Sequence, residues 1–197
     1  MSVSARTLPG KRALAKAARR GAFLAAAARV LHRDGLRDAT MEAVAAEASV
    51  SKVVLYRYFG SKEEMTDAVL SDVAGELAAE MATPWTGYGS GMARMLRVAR
   101  ARPDAFALLV VGARGDPRFG SHHARVHDAI RRRVEDATGD TDASAVLKAL
   151  SSKAVASLAL DAVAGWIEQG TPSEDDAFLA WYAAGTAALD RAWRDEG

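Results

Sequence analysis

Helical periodicity runs through almost the whole chain, and no stretch alternates β-branched with polar residues in the manner of a half-buried strand. Alanine, the strongest helix former, recurs in every segment. With 197 residues, half of them hydrophobic, the chain can bury a sizeable core from helices alone. The expected fold class is therefore all-α.

Punctuation divides the chain into helices. Met1–Gly10 reads as an arm, and a helix follows over about Lys11–Arg33 with Phe23, Ala27, Val30 and Leu31 on one face. Gly35 is a helix-ending residue, and Asp38 and Thr40 are candidate N-caps for the next helix. That helix, about Thr40–Glu47, carries Met41, Val44, Ala45 and Ala48 at helical spacing. A break at Ser49–Val50 precedes a second short helix, about Ser51–Phe59. Gly60–Ser61 then ends it and caps a longer one reaching Met81, in which Met65, Val69, Val73 and Leu77 stack at intervals of four. Pro84 and Gly87, Gly89 and Gly91 mark a loop. Further helices are expected at about Ser90–Ala101, Pro103–Ala113, Ser121–Thr138, Asp142–Gln169 and Ser173–Arg194, the last opened by Ser173 and Asp176 in near capping-box spacing.

Charge is split along this pattern. Residues 1–62 hold 12 Lys/Arg against 4 Asp/Glu, net +8, whereas residues 63–197 hold 14 against 21, net −7. The front third is suited to a polyanion and the remainder is not. The division drawn from the sequence is thus 1–62, a basic arm and polyanion-facing domain, and 63–197, a second helical domain. The chain has no cysteine, which excludes disulfides, thiolate metal sites and a cysteine nucleophile, and suits a reducing, cytoplasmic setting. The acid-free first 33 residues with the apolar run Gly21–Ala28 could imitate a secretory or transit signal. The run is short and continues directly into Arg29, His32 and Arg33, so an amphipathic helix is the better reading. No stretch approaches the about 18 apolar residues needed to span a bilayer, and no membrane partner is expected.

The segment Thr40–Met65 carries the functional signal. Two short helices joined by a few residues must pack closely and at a steep angle, which requires a small side chain at the crossing; Ala45 supplies it. Val50 and Leu55 fill the space beneath the second helix. Ser51, Lys52, Val53, Val54 and Arg57 are left to face outward, a set of cations, a hydroxyl and small apolar groups that suits base edges and thymine methyls in a major groove. Tyr56, Tyr58 and Lys62 add phosphate donors at the far end. An ordinary helical hairpin with solvated charges is the competing reading of the same residues.

The run Val50-Ser-Lys-x-x-Leu-Tyr-x-Tyr-Phe-x-Ser-Lys-Glu-Glu-Met65, with Gly35, Thr40, Met41 and Ala45 before it, resembles the signature of TetR-family regulators over about Ala22–Leu70. The resemblance implies a three-helix N-terminal helix-turn-helix domain, a C-terminal helical ligand-sensing and dimerisation domain, and DNA contacts at Thr40, Lys52, Val54, Tyr56, Tyr58 and Lys62. Two features depart from the family: Ser49 stands where glycine is usual in the turn, and Ala39 and Val54 stand where threonine is frequent. A serine is strained there if the turn needs a positive φ, and losing the hydroxyl at 54 alters which bases are favoured.

The remaining two-thirds is less specific. Val146, Leu147, Leu150, Leu158, Leu160, Val163 and Trp166 are distributed around their helix too widely for a surface element. With Phe178, Trp181 and Tyr182 on the final helix they point to a homodimer interface of two helices from each chain, for which Leu158, Ala162, Trp166, Phe178, Trp181 and Tyr182 are the candidates. A palindromic operator requires two recognition helices about 34–36 Å apart. Trp85, Met92, Met95, Phe106, Leu109, Phe119, His123 and Trp166 are candidates for lining a small-molecule effector site, since Met and aromatic groups adapt to apolar ligands; at helical spacing the same residues also make an ordinary core. His123 and His127 share a face at chelating spacing, but no third ligand is identifiable and Arg125, Arg131, Arg132 and Arg133 oppose a cation, so no metal and no cofactor is expected. Arg131–Arg133 and Glu174–Asp176 have sufficient explanations as solvated helix surface and as acids at a helix start. A helical enzyme and a non-DNA adaptor are the rival classes. The sequence holds no Gly-rich phosphate loop, no Gly-x-Ser-x-Gly and no metal triad, so no catalytic residue is assigned.

Overall fold

Helix ends in this protein fall where capping side chains and glycines stand. The computed structural model describes residues 10–84, 86, 88–138 and 145–194, and among them every regular element is helical. The order is α1 (Lys11–Asp38), α2 (Met41–Glu47), α3 (Lys52–Phe59), α4 (Lys62–Met81), α5 (Tyr88–Ala101), α6 (Pro103–Ala107), α7 (Gly120–Thr138), α8 (Ala145–Gln169) and α9 (Asp175–Arg194). The expected arm over residues 1–9, Trp85 and the helix start at Asp142 lie outside the described residues. One compact unit ends at Val69 and a second begins at Leu70, so the division lies within α4, against the 62/63 boundary drawn at that helix's first turn.

In the N-terminal unit, Gly35 takes φ 85° and ψ 157° and kinks α1; positive φ costs glycine little, so the break falls there. Of the two candidate caps, Thr40 caps α2, its Oγ1 accepting the Ala43 N–H at 3.1 Å, while Asp38 closes α1. Ser61 caps α4 in the same way, accepting the Glu64 N–H at 3.1 Å. Phe23, Leu24, Ala27, Val30 and Leu31 of α1 are buried with Met41, Val44 and Ala45 of α2 and with Leu55 and Phe59 of α3. Ala45, only 5% exposed, lies on the stretch of α2 that packs on both neighbours. At the edge of this core Glu47 accepts Arg29 Nε at 2.6 Å and lies 3.7 Å from Arg33, tying α2 to α1, and Tyr58 meets Phe23 edge-on with ring centres 5.0 Å apart. The turn between α2 and α3 places Ser49 at φ 53°, so the strain expected of a serine at a positive-φ turn is present and carries the left-handed penalty.

In the C-terminal unit, α7 packs on α8, and α5 packs on α8 and α9. Two local features differ from the sequence-based expectation. The helix expected over Pro103–Ala113 is α-helical only to Ala107 and then opens into a π-helical turn, Leu108–Gly112, closed by the Ala113 N–H on Leu108 O at 2.7 Å. The wider turn buries Leu108, Leu109 and Val110 in succession. The capping box expected at Ser173 and Asp176 does not form: Pro172–Glu174 is a 3-10 turn in which Thr171 Oγ1 donates to Glu174 Oε2 at 2.8 Å. The first acid of α9 is Asp175, and it is engaged elsewhere.

Asp175 organises the corner where α8 ends. Arg100 of α5 donates to both its carboxylate oxygens, at 2.7 and 3.2 Å, and to Gly170 O at 3.1 Å; Trp166 Nε1 donates to Asp175 Oδ1 at 2.7 Å. Trp166 also stacks on Phe178, with ring centres 4.8 Å apart and planes 7° from parallel. A Cβ on Gly170 would stand 2.5 Å from the indole, so glycine is what lets the ring lie over the end of α8. The Arg100 hydrogen bonds, followed by the Trp166 bond, hold the Asp175 carboxyl below its ordinary value of 3.8 despite partial burial.

Both the Asp175 corner and the Ser49 turn have measurable consequences for stability. Asp175→Asn should cost about 1.5–3 kcal/mol at neutral pH, the range for charged hydrogen bonds. Because the folded state depresses the Asp175 pKa, its contribution is present above 3.8 and is lost as pH falls through the depressed value. Denaturant titrations should therefore show the gap between native and variant chains closing in acid; a gap constant down to the acid limit would contradict the ionic role. Ser49→Gly should raise stability by about 0.5–1 kcal/mol, the left-handed penalty less the added entropy of an unfolded glycine, and a lower thermal midpoint would show that the serine is not strained.

Candidate nucleic-acid interface

The orientation of α3 follows from two residues four apart. Leu55 and Phe59, 0% and 6% exposed, turn inward, so Ser51, Lys52, Val53, Tyr56 and Arg57 turn outward and are exposed. Val53 is 70% exposed, a β-branched apolar group in water at the start of the helix. Val54 and Tyr58 are half-buried, Tyr58 through its contact with Phe23. The structure thus gathers five of the nine DNA-contact candidates on one open face and turns two of them partly inward.

The other two, Thr40 and Lys62, meet at a flank. Lys62 Nζ donates to Arg37 O and to Ala39 O, each at 2.7 Å. The ammonium is therefore fixed beside the backbone of Thr40, with one of its three N–H groups left to donate. Thr40 Oγ1 is occupied as acceptor by its own helix, and its hydroxyl hydrogen is available.

The cations of α3 are not alike. Lys52 Nζ pairs with Glu42 Oε1 of α2 at 2.8 Å. Hydrogen bonding to Lys52 holds the Glu42 carboxyl below its usual range, and the same bond raises the Lys52 ammonium. Arg57 has no ion-pair partner among the described residues. Glu42 gives no signal in the sequence because its contact crosses the turn between helices, ten residues apart. Behind this face, Lys11, Arg12, Lys16, Arg19 and Arg20 all lie on an exposed part of α1 that precedes its first buried residue, Phe23. Arg20 lies over the Phe59 ring, 5.6 Å from its centre.

The effector candidates fall into separate settings. Trp85 is outside the described residues. Met92, Met95, Phe106, Leu109 and Phe119 are buried. His123 is half-buried, with its Nδ1 buried and without a hydrogen-bond partner; burial first, and Arg114 second, hold its imidazole below the usual range. His127, stacked on His123 with ring centres 6.2 Å apart, is bonded to Ser157 Oγ at 3.0 Å. Trp166 belongs instead to the Asp175 corner. Among the described residues no group of three or more His, Asp or Glu side chains is placed to hold a metal ion, and no helix is long and apolar enough to cross a membrane.

The dimer candidates divide as well. Leu158 and Trp181 are exposed, Trp181 at 64%, and Ala162 and Trp166 are half-buried, whereas Phe178 and Tyr182 are buried within the chain itself. Val146, Leu147 and Leu150 continue the exposed apolar surface along α8.

Known proteins share this fold. Residues 23–69 match the model of bacterial regulatory proteins of the tetR family. No curated protein matches the chain. Among solved structures, a tetR-family transcriptional regulator from Streptomyces coelicolor is similar at 20% identity, over 91% of this chain and 85% of that one, with a TM-score of 0.66. The regulator FadR from Bacillus subtilis, in complex with stearoyl-CoA, is similar at 12% identity over 84% and 98% of the two chains, with a TM-score of 0.61. PfmR from Thermus thermophilus is similar at 19% identity over 81% and 94%, with a TM-score of 0.55. The matched residues 23–69 span the latter part of α1, all of α2 and α3 and the start of α4, and the chain shares its all-helical fold with these solved structures.

Proposed function

We propose that this chain is a sequence-specific regulator of transcription that binds double-stranded DNA as a homodimer, acting as a repressor released by a small apolar or amphipathic effector. The observation that carries the reading is the exposed face of α3, where Ser51, Lys52, Val53, Tyr56 and Arg57 stand together while Leu55 and Phe59 anchor the helix from behind. Hydroxyl, cation and apolar groups in that arrangement complement the donors, acceptors and thymine methyls of a major groove. Thr40 and Lys62 supply phosphate contacts that set register, and the exposed cations of α1 add sequence-independent attraction.

Dimerisation is supported by the exposed apolar surface of α8 and α9, at Leu158 and Trp181, which a second copy would cover. An amphipathic effector is supported by the likeness to FadR, whose structure holds stearoyl-CoA, by the buried Met92, Met95, Phe106 and Leu109, and by the buried His123 Nδ1 that lacks a hydrogen-bond partner. Release works as a population shift. The effector-bound dimer favours a spacing of the two α3 helices that misses the operator, which requires the effector to bind the two arrangements with different affinity. A helical enzyme or a protein adaptor would use the C-terminal unit without needing the α3 face.

Selection of duplexes from a random pool by the full chain tests this reading. The recovered sequence should have dyad symmetry and bind at least about 10³-fold more tightly than a scrambled duplex at physiological salt. Equal affinity at every salt concentration would remove the regulator reading and leave the adaptor. Lys62→Ala should weaken binding to both duplexes alike and reduce the salt slope by about 0.9. It should also cost about 1–2 kcal/mol of stability, since two backbone carbonyls lose a charged donor. An unchanged slope would take Lys62 off the phosphate backbone.

A further inference from the structure

The recognition helix carries two exposed cations in different electrical settings. Arg57 stands without an acid among the described residues, whereas Lys52 is paired with Glu42, at 2.8 Å, across the turn that joins α2 to α3. Both members of the pair are more than half exposed, 56% and 61% by side chain, so a duplex approaching α3 meets the pair itself and not a lone ammonium.

A paired Lys52 differs physically from a free one. A free ammonium near a duplex displaces condensed counterions and adds to affinity for any sequence. A lysine held against a carboxylate has almost no net charge to offer phosphate, so it releases no counterion. It keeps two N–H groups, on a side chain whose swing is limited by the third. Such a group discriminates only where an acceptor stands at the right place, such as the O6 and N7 edge of a guanine. The join between α2 and α3 does not depend on this exposed pair, because Leu55 and Phe59 of α3 are buried with Met41, Val44 and Ala45 of α2.

We infer that Glu42 is a positioning residue for sequence reading: it holds Lys52 as a directed donor and keeps it from acting as a phosphate-seeking charge. The inference rests on the reading of α3 as the DNA-contacting helix. The two cations divide the work, Lys52 with Glu42 reading sequence and Arg57 supplying attraction. The pair persists on DNA, so its net contribution to the salt dependence of binding is close to zero.

The test uses the full chain, the duplex it selects from a random pool, and a scrambled duplex of the same length and composition. Glu42→Gln should raise affinity for the scrambled duplex several-fold at low salt, steepen its salt slope by about 0.9, and lower the ratio of selected to scrambled affinity. The double variant Glu42→Gln/Lys52→Gln should return to the native slope while losing the ratio. If Lys52 is a plain phosphate contact, the double variant instead loses about 0.9 from the native slope, which overturns the inference. So does an equal change on both duplexes in Glu42→Gln. Thermal midpoints of the variants should stay near native, because both side chains are exposed; a large fall would assign Glu42 to folding and also overturn the inference. A native chain that prefers no duplex over another contradicts the DNA reading itself, an outcome separable from the others by the native measurement alone.

Discussion

Burial of Leu55 and Phe59 fixes the direction in which α3 faces, and the rest of the N-terminal unit exists to hold that burial. Two large apolar groups four residues apart give a two-turn helix one inward side. An isolated helix of eight residues would not persist in water, so α1 and α2 supply the surface against which it folds. The consequence is functional. Ser51, Lys52, Val53, Tyr56 and Arg57 are outward because these two are inward, and a polar substitution at either position would release the orientation as well as the core.

The C-terminal unit depends on a different kind of contact. Its helices are joined at the Asp175 corner, where an arginine and an indole N–H converge on one carboxylate and the arginine also holds a backbone carbonyl. Charged hydrogen bonds are directional and fail when one partner is removed, so this corner sets the relation of α5, α8 and α9 within their unit more sharply than apolar packing alone. It also accounts for Trp166 and Phe178, which the sequence offers as dimer contacts. They stack on each other, and Phe178 is part of the chain's own core.

Much of the α2–α3 region is legible in the sequence because its determinants are local. Thr40 and Ser61 cap helices that begin just after them, Gly35 breaks the helix that contains it, and the Leu55–Phe59 spacing is one helical turn. Lys62 reads as a flanking cation, but its hold on the carbonyls of Arg37 and Ala39 spans 25 and 23 residues and leaves no mark in spacing. The Arg100–Asp175 bond, 75 residues apart, is invisible for the same reason. The π turn at Leu108–Gly112 escapes a sequence reading because three successive apolar residues fit either helical period. Long-range polar contacts and altered helical pitch are properties of the folded arrangement, and no periodic pattern announces them.

The most direct test of whether α3 enters a major groove is a guanine-methylation footprint of the full chain on the duplex it selects. Two patches protected at N7, centred about 10 base pairs apart on one face of the duplex, are the result predicted for two recognition helices related by a dyad. No protection at N7, or a single unpaired patch, would contradict it.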